Sequence, residues 1–217
     1  MDDKLPEQAG DLGPLVVGIA GSARKQGNSA ALLRRVLSGL GGDVRTEIVF
    51  LADTEIRPCT GCHYCQTAGA CCIEDGMAAI YPKLVEADAI LLASPAYMGG
   101  IASRMQAFME RTWPLRKGQL AGKLASCIVT GRRRIGMAGG VMEEYFNRLG
   151  VTKLPGVLGF AFESGEIQQD REAAAQADRL AAAFGGLLSV TAGPGQERVP
   201  MFARQAEAVE GRHVDAR

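Results

Sequence analysis

Histidine is nearly missing from this 217-residue chain; His63 and His213 are the two present. Neither stands in a Ser-His-Asp or metal-hydrolase constellation, which removes the commonest hydrolytic chemistries. Excess charge of either sign is missing too. Lys and Arg number 24, Asp and Glu number 24, and the formal net charge is zero, so electrostatic capture of nucleic acid or of an anionic membrane is not expected. No apolar run approaches the length that spans a bilayer. Residues 1–13 are polar and acidic, the wrong character for a secretory leader. Together with cysteines read as reduced, this points to the cytoplasm. What remains is ordinary globular composition, 47% hydrophobic and 22% charged, long enough for one substantial core.

Against that background one segment stands out. Five of the six cysteines lie between Cys59 and Cys72, in Cys-Thr-Gly-Cys-His-Tyr-Cys-Gln-Thr-Ala-Gly-Ala-Cys-Cys. Cys59, Cys62, Cys65 and Cys71 have the spacing C-x2-C-x2-C-x5-C. Three thiolates at that interval and a fourth a short loop later suit a compact soft-metal centre, and iron–sulfur clusters use a closely similar run. Gly61 and Gly69 let the backbone turn tightly around it. Disulfides need an oxidising compartment. Zinc is compatible with C-x2-C, although structural zinc sites usually pair two such knuckles across a longer spacer. Cysteines with a purely redox role, or with no metal, complete the alternatives.

The rest of the chain alternates strand and helix. The apolar run 15–20, bounded by Gly21-Ser22, predicts a strand buried on both faces. An apolar-periodic helix is expected over 29–40, capped by Asn28 or Ser29. Further strands are expected at 44–51, 87–93 and 124–130 and within 151–160. Helices are expected at 77–86, 102–112, 141–149 and 171–184, with a Gly- and Arg-rich loop at 131–140. This pattern predicts an α/β fold, a doubly wound five-stranded parallel sheet of flavodoxin-like order with helices on both faces. One domain is expected over 14–191, with the cysteine loop at 59–72 inserted in it. A flexible arm is expected at 1–13 and a polar tail at 192–217 that wraps a neighbouring subunit or stays mobile.

In such a sheet ligands sit outside the carboxyl ends of the strands, and three loops fall there. The first, Gly21-Ser-Ala-Arg-Lys-Gln-Gly-Asn-Ser29, opens a helix whose N–H groups and dipole favour an anion. Ser22, Asn28 and Ser29 offer hydrogen bonds and Arg24 a charge. The glycine spacing is neither that of a Walker A loop nor that of the dinucleotide fingerprint, so a flavin mononucleotide phosphate is the leading guest, beside the reading of an ordinary strand-to-helix turn. The second is Ser94-Pro-Ala-Tyr-Met-Gly-Gly100, rigid and close to the backbone, with the Tyr97 ring available to a flat ligand. The third is Thr130-Gly131.

These loops resemble those of the flavodoxin-like NADPH-dependent FMN reductases. Residues 21–29 are similar to that family's GSPRxxGNT loop and Ser94–Gly99 to its SPxYxG loop. Cys59-Thr-Gly-Cys-His-Tyr-Cys, Gly69-Ala-Cys71 and Asp75-Gly-Met77 resemble its iron–sulfur flavoprotein branch, and Leu120-Ala-Gly-Lys123 and Thr130-Gly131 match later landmarks. The resemblance covers about 15–184. It implies an electron-transfer flavoprotein, a homodimer or homotetramer, holding FMN and a 4Fe-4S cluster near a subunit interface. It assigns the flavin phosphate to Ser22, Arg24, Asn28 and Ser29, and the flavin ring to Pro95, Ala96, Tyr97, Met98, Gly99, Thr130 and Gly131. The cluster goes to Cys59, Cys62, Cys65 and Cys71. NAD(P)H, another small molecule or a protein would exchange electrons with it. A cluster-free NAD(P)H-dependent FMN or quinone reductase and a zinc-stabilised binding module are the rivals.

Ala23 stands where the family usually has Pro, Gly76 where it has Asp, and Glu110-Arg111 where Asp-Arg is frequent. Cys72 is extra and is read as a packed free thiol. Cys127 is read as core, Trp113 as a core or interface anchor, His63 as loop surface, and Arg132-Arg-Arg134 as a solvated loop.

Overall fold

The computed structural model describes residues 13–191. Apart from Gly13, the expected arm at 1–13, and the whole expected tail at 192–217 with His213, lie outside the described residues. The chain runs β1 (Leu15–Ala20), α1 (Asn28–Ser38), β2 (Arg45–Phe50), α2 (Tyr64–Ala68), α3 (Met77–Glu86), β3 (Ala89–Tyr97), β4 (Gly100–Ile101) and α4 (Ser103–Arg111). After a 3-10 turn at Trp113–Lys117 come β5 (Leu124–Gly131), α5 (Gly136–Leu149), β6 (Thr152–Lys153) and β7 (Val157–Phe160). A second 3-10 turn at Glu166–Gln169 leads into α6 (Arg171–Thr191).

The strands pair in the order β2-β1-β3-β5, with β6 and β7 both on the outer edge of β5. All of these pairings are parallel. With β6 and β7 counted as one interrupted strand, this is the flavodoxin-like order. The interruption is at Leu154-Pro-Gly156, where Pro155 has no N–H for the ladder. Its carbonyl instead accepts the Ser126 hydroxyl at 3.0 Å.

The period-2 geometry of strands divides the core. Val17 and Ile19 of β1 and Ile90 and Leu92 of β3 face α3, α4 and α5, where they meet Met77, Leu84, Phe108 and Phe146. Val16, Ala20, Leu91 and Ala93 face the other way and meet Leu33 and Val36 of α1 and Ala177 and Phe184 of α6. Every residue of β1 is buried, which is why its sequence is apolar without alternation. Cys127 is buried, as its strand position implied.

Three boundaries differ from the sequence reading. Residue 27 caps α1 and Asn28 is already helical, with no side-chain cap, so neither Asn28 nor Ser29 plays that part. The stretch 136–140 is the start of α5 rather than loop. Glycines there depress helix propensity, but Ala138, Gly139 and Met142 lie against the core, and packing outweighs a penalty of about 1 kcal/mol per glycine. Finally, β3 continues past Ala93 to Tyr97 and folds back as a hairpin with β4.

Phe108 is fully buried between α4 and the sheet. Phe108→Ala is expected to cost about 3–5 kcal/mol by removing apolar contacts and leaving a cavity. Urea unfolding at unchanged m-value is the measurement.

Candidate functional site

The three ligand loops are brought together by strand register. Ala20 pairs with Ala93, so the loop after β1 emerges beside Ser94, and the Gly21 N–H donates to the Ala93 carbonyl at 2.8 Å. Pro95 pairs with Thr130 across β3 and β5. A Cβ on Gly131 would lie 3.3 Å from that of Ala96 and only 2.7 Å from an Ile135 methyl, so this contact between the second and third loops tolerates no side chain there.

The 21–27 loop is held by its own groups. The Ser22 hydroxyl accepts the Arg24 N–H at 3.0 Å, and the Gly27 N–H donates to the Arg24 carbonyl at 2.9 Å. A Cβ on Gly27 would come within 3.0 Å of that carbonyl, a tight contact that would admit a side chain only if the turn shifted by a few tenths of an ångström. Ser22 and Ser29 are buried while Arg24 is exposed. The first N–H groups of α1 have no intrahelical acceptor, the general condition for an anion site at a helix start. Asn28 is partly diverted from the part expected of it: its Nδ2 donates to the Glu163 carbonyl at 2.8 Å and its Oδ1 accepts the Gly165 N–H at 2.9 Å. It straps the loop after β7 to the start of α1.

The second loop is a two-residue hairpin. Met98 and Gly99 have φ of +51° and +84°, both left-handed, as a tight turn with the twist of its strands requires. The Ser94 hydroxyl accepts the Ala102 N–H at 3.0 Å and donates to the Pro95 carbonyl at 2.9 Å, which fixes the hairpin to the start of α4. Tyr97 and Met98 stand exposed at its tip. A cleft of about 660 Å³ opens alongside, lined by Arg132, Phe160, Phe162, Glu166 and Asp170. The Arg132 guanidinium lies 5.0 Å from the centre of the Phe162 ring, so this arginine is engaged with an aromatic face. None of the predicted flavin-binding residues lines that cleft.

The cysteine segment leaves the carboxyl end of β2 as an exposed lobe around the short α2, which buries none of its own residues. His63, Gly61 and Gly69 take positive φ at its bends. Cys59, Cys62 and Cys72 are exposed, and Cys65 and Cys71 are half-buried. Among the described residues, no three His, Cys, Asp or Glu side chains are gathered as a metal would need. The contact present is Cys62 Sγ to Cys72 Sγ, 3.4 Å. Cys72 is therefore not a packed thiol. Hydrogen bonding, chiefly from the Tyr64 N–H and then from Cys72, lowers the Cys62 pKa, and the same pairing with Cys62 raises that of Cys72. The chemistry of the set, five thiols in fourteen residues, still fits a soft metal. His63 is exposed and paired to Gln66 at 2.8 Å, in keeping with a surface role. Trp113 is 44% exposed under Arg116, so it anchors no core.

What the sequence reading missed lies at the base of this lobe. Arg111, at the end of α4, has a side chain with 0% exposure. It donates to Asp75 Oδ2 at 2.6 Å and Oδ1 at 3.1 Å, to the Arg57 carbonyl at 2.8 Å and to the Ile73 carbonyl at 3.0 Å. Asp75 also accepts the N–H groups of Arg57 and Met77. Burial alone would raise the Asp75 pKa, but the bonds from Arg111 and then from those N–H groups outweigh it, and the pKa lies below the ordinary value. Burial, followed by the charge on Cys71, pushes Tyr81 up to about 12; its hydroxyl donates to the Arg111 carbonyl at 2.6 Å. A signal existed: Arg111 is three residues from Phe108, on the apolar stripe of α4, where a cation requires a buried partner.

With this geometry in place, comparison with known proteins is decisive for family. The profile of "NADPH-dependent FMN reductase" matches residues 14–163. The chain belongs to this family. Within it the chain falls in the iron–sulfur flavoprotein branch. It is 41% identical over 123 residues to an iron–sulfur flavoprotein of Methanocaldococcus jannaschii, covering 56% of this chain and 64% of that one. It is 32% identical over 174 residues to an iron–sulfur flavoprotein of Archaeoglobus fulgidus, covering 77% of this chain and 79% of the relative. The chain thus spans just under two thirds of the first of these relatives. In fold it is similar to RosB, solved with 8-demethyl-8-formylriboflavin-5′-phosphate bound, at a TM-score of 0.65 and 17% identity, over 94% of this chain and 90% of that one. No helix among the described residues is long and apolar enough to cross a membrane.

Asp75→Asn is expected to cost about 3–5 kcal/mol at neutral pH, because the buried Arg111 cation loses its counter-charge. The folded-state pKa of Asp75 is lowered, so its contribution is complete above the ordinary aspartate value of about 3.9 and is lost as pH falls through the folded value. Urea midpoints of wild type and variant, measured downward from pH 6, should therefore converge in acid; a gap independent of pH would contradict the assignment.

Proposed function

We propose that this protein is an FMN-dependent electron-transfer oxidoreductase that also carries a 4Fe-4S cluster on its cysteine lobe. What supports this is the meeting of three ligand loops at one sheet edge, with a five-thiol lobe leaving the same edge, in a chain of the iron–sulfur flavoprotein branch. The flavin would exchange one or two electrons and the cluster one, so together they would link two-electron and one-electron partners.

The protein's own residues do the placing. Ser22, Ser29 and the first N–H groups of α1 offer donors to the flavin phosphate, with Arg24 supplying charge from the exposed side and Asn28 bracing the cradle. Pro95, Ala96, Thr130 and Gly131 would line the flavin ring, with Tyr97, Met98 and Gly99 beside it on the hairpin. Cys59, Cys62, Cys65 and Cys71 would hold the cluster, which requires the sulfurs to move from the positions described. A second copy of the chain is the partner that suits the exposed apolar side chains Tyr97, Met98, Trp113, Phe160 and Phe162, and would shield an oxygen-sensitive centre. The electron donor or acceptor is a small molecule such as NAD(P)H, or a protein. The dispersed sulfurs favour one competing reading, a cluster-free NAD(P)H-dependent FMN or quinone reductase.

Anaerobic purification followed by assay of flavin, iron and acid-labile sulfide tests both. The expected outcome is bound FMN with iron and sulfide in equal amounts. Ser at position 59, 62 or 65 should abolish most of the iron while leaving the flavin. Cys71→Ser should do the same and Cys72→Ser should not. Flavin without iron would establish the cluster-free reductase, and zinc in place of iron would end the cluster assignment.

A further inference from the structure

The guanidinium of Arg111 joins the two ends of the cysteine segment. Its hydrogen bonds reach Arg57, two residues before the first cysteine, and Ile73 and Asp75, one and three residues after the last. The lobe between contributes nothing to the core from α2.

We infer that Arg111 is a positioning residue: by holding the Arg57 and Ile73 carbonyls and the Asp75 carboxylate at once, it clamps the base of the cysteine lobe to α4. The cation is fixed by Asp75, so it cannot turn away to water, and the lobe is aligned with the flavin domain through α4.

The test compares full-length wild type, Arg111→Lys and Arg111→Gln. Hydrogen exchange on metal-free protein should show segment 57–75 exchanging at least about tenfold faster in Arg111→Gln, with β1, β3 and β5 still protected, since sub-global opening is local when the core is intact. Arg111→Lys, which keeps the cation but has one nitrogen to reach several acceptors, should fall between. If Arg111→Gln fails to fold, shown by loss of protection in the central strands, Arg111→Lys carries the same comparison. Unchanged exchange in segment 57–75 overturns the clamp.

Discussion

A single buried ion pair, Arg111 with Asp75, is what makes an exposed cysteine lobe compatible with a folded α/β domain. The lobe has no apolar core of its own, and α2 is far too short to be stable alone. Its shape is therefore imposed from the base. Burying a guanidinium is expensive, and the structure compensates with both carboxylate oxygens of Asp75 and two backbone carbonyls. Asp75 in turn receives N–H groups from Arg57 and from the first turn of α3. Lobe, α3 and α4 are thereby locked into one unit, and α3 and α4 pack on one face of the sheet.

The edge where the three loops meet is assembled by another principle. Its parts are loops joined to neighbouring parallel strands, so the register of β1, β3 and β5 sets their spacing. Small adjustments complete it: a glycine where two loops touch, a serine hydroxyl pinning a hairpin, and the Asn28 side chain reaching across to 163–165. Asn28 shows how a residue type can suit two tasks. An amide that looks like a phosphate donor in a motif is equally suited to bracing two backbones.

Local physics made much of this legible in the chain itself. The continuous apolar run of β1 required burial on both faces. Strand–helix alternation required a parallel sheet, and a parallel sheet puts its loops on one edge. The crowding of five thiols in fourteen residues raised the expectation of a soft-metal centre, while no three candidate ligands are gathered among the described residues. The glycine-rich start of α5 was not legible, because propensity argues for a loop there and contact with the sheet reverses it. Nor was the place of Cys72, whose spacing is one residue from that of Cys71 although their side chains meet different neighbours.

The amino-acid order by itself thus determined the fold class, the strand order and which loops share the carboxyl edge of the sheet, since those follow from period, breakers and handedness over short stretches. Only the tertiary structure decided which polar groups are occupied by the protein's own backbone, which cysteine meets Cys62, and that Arg111 supports the lobe. Those outcomes depend on atoms distant in the chain meeting where water is excluded, and a pairing of that kind leaves no periodic trace in the sequence.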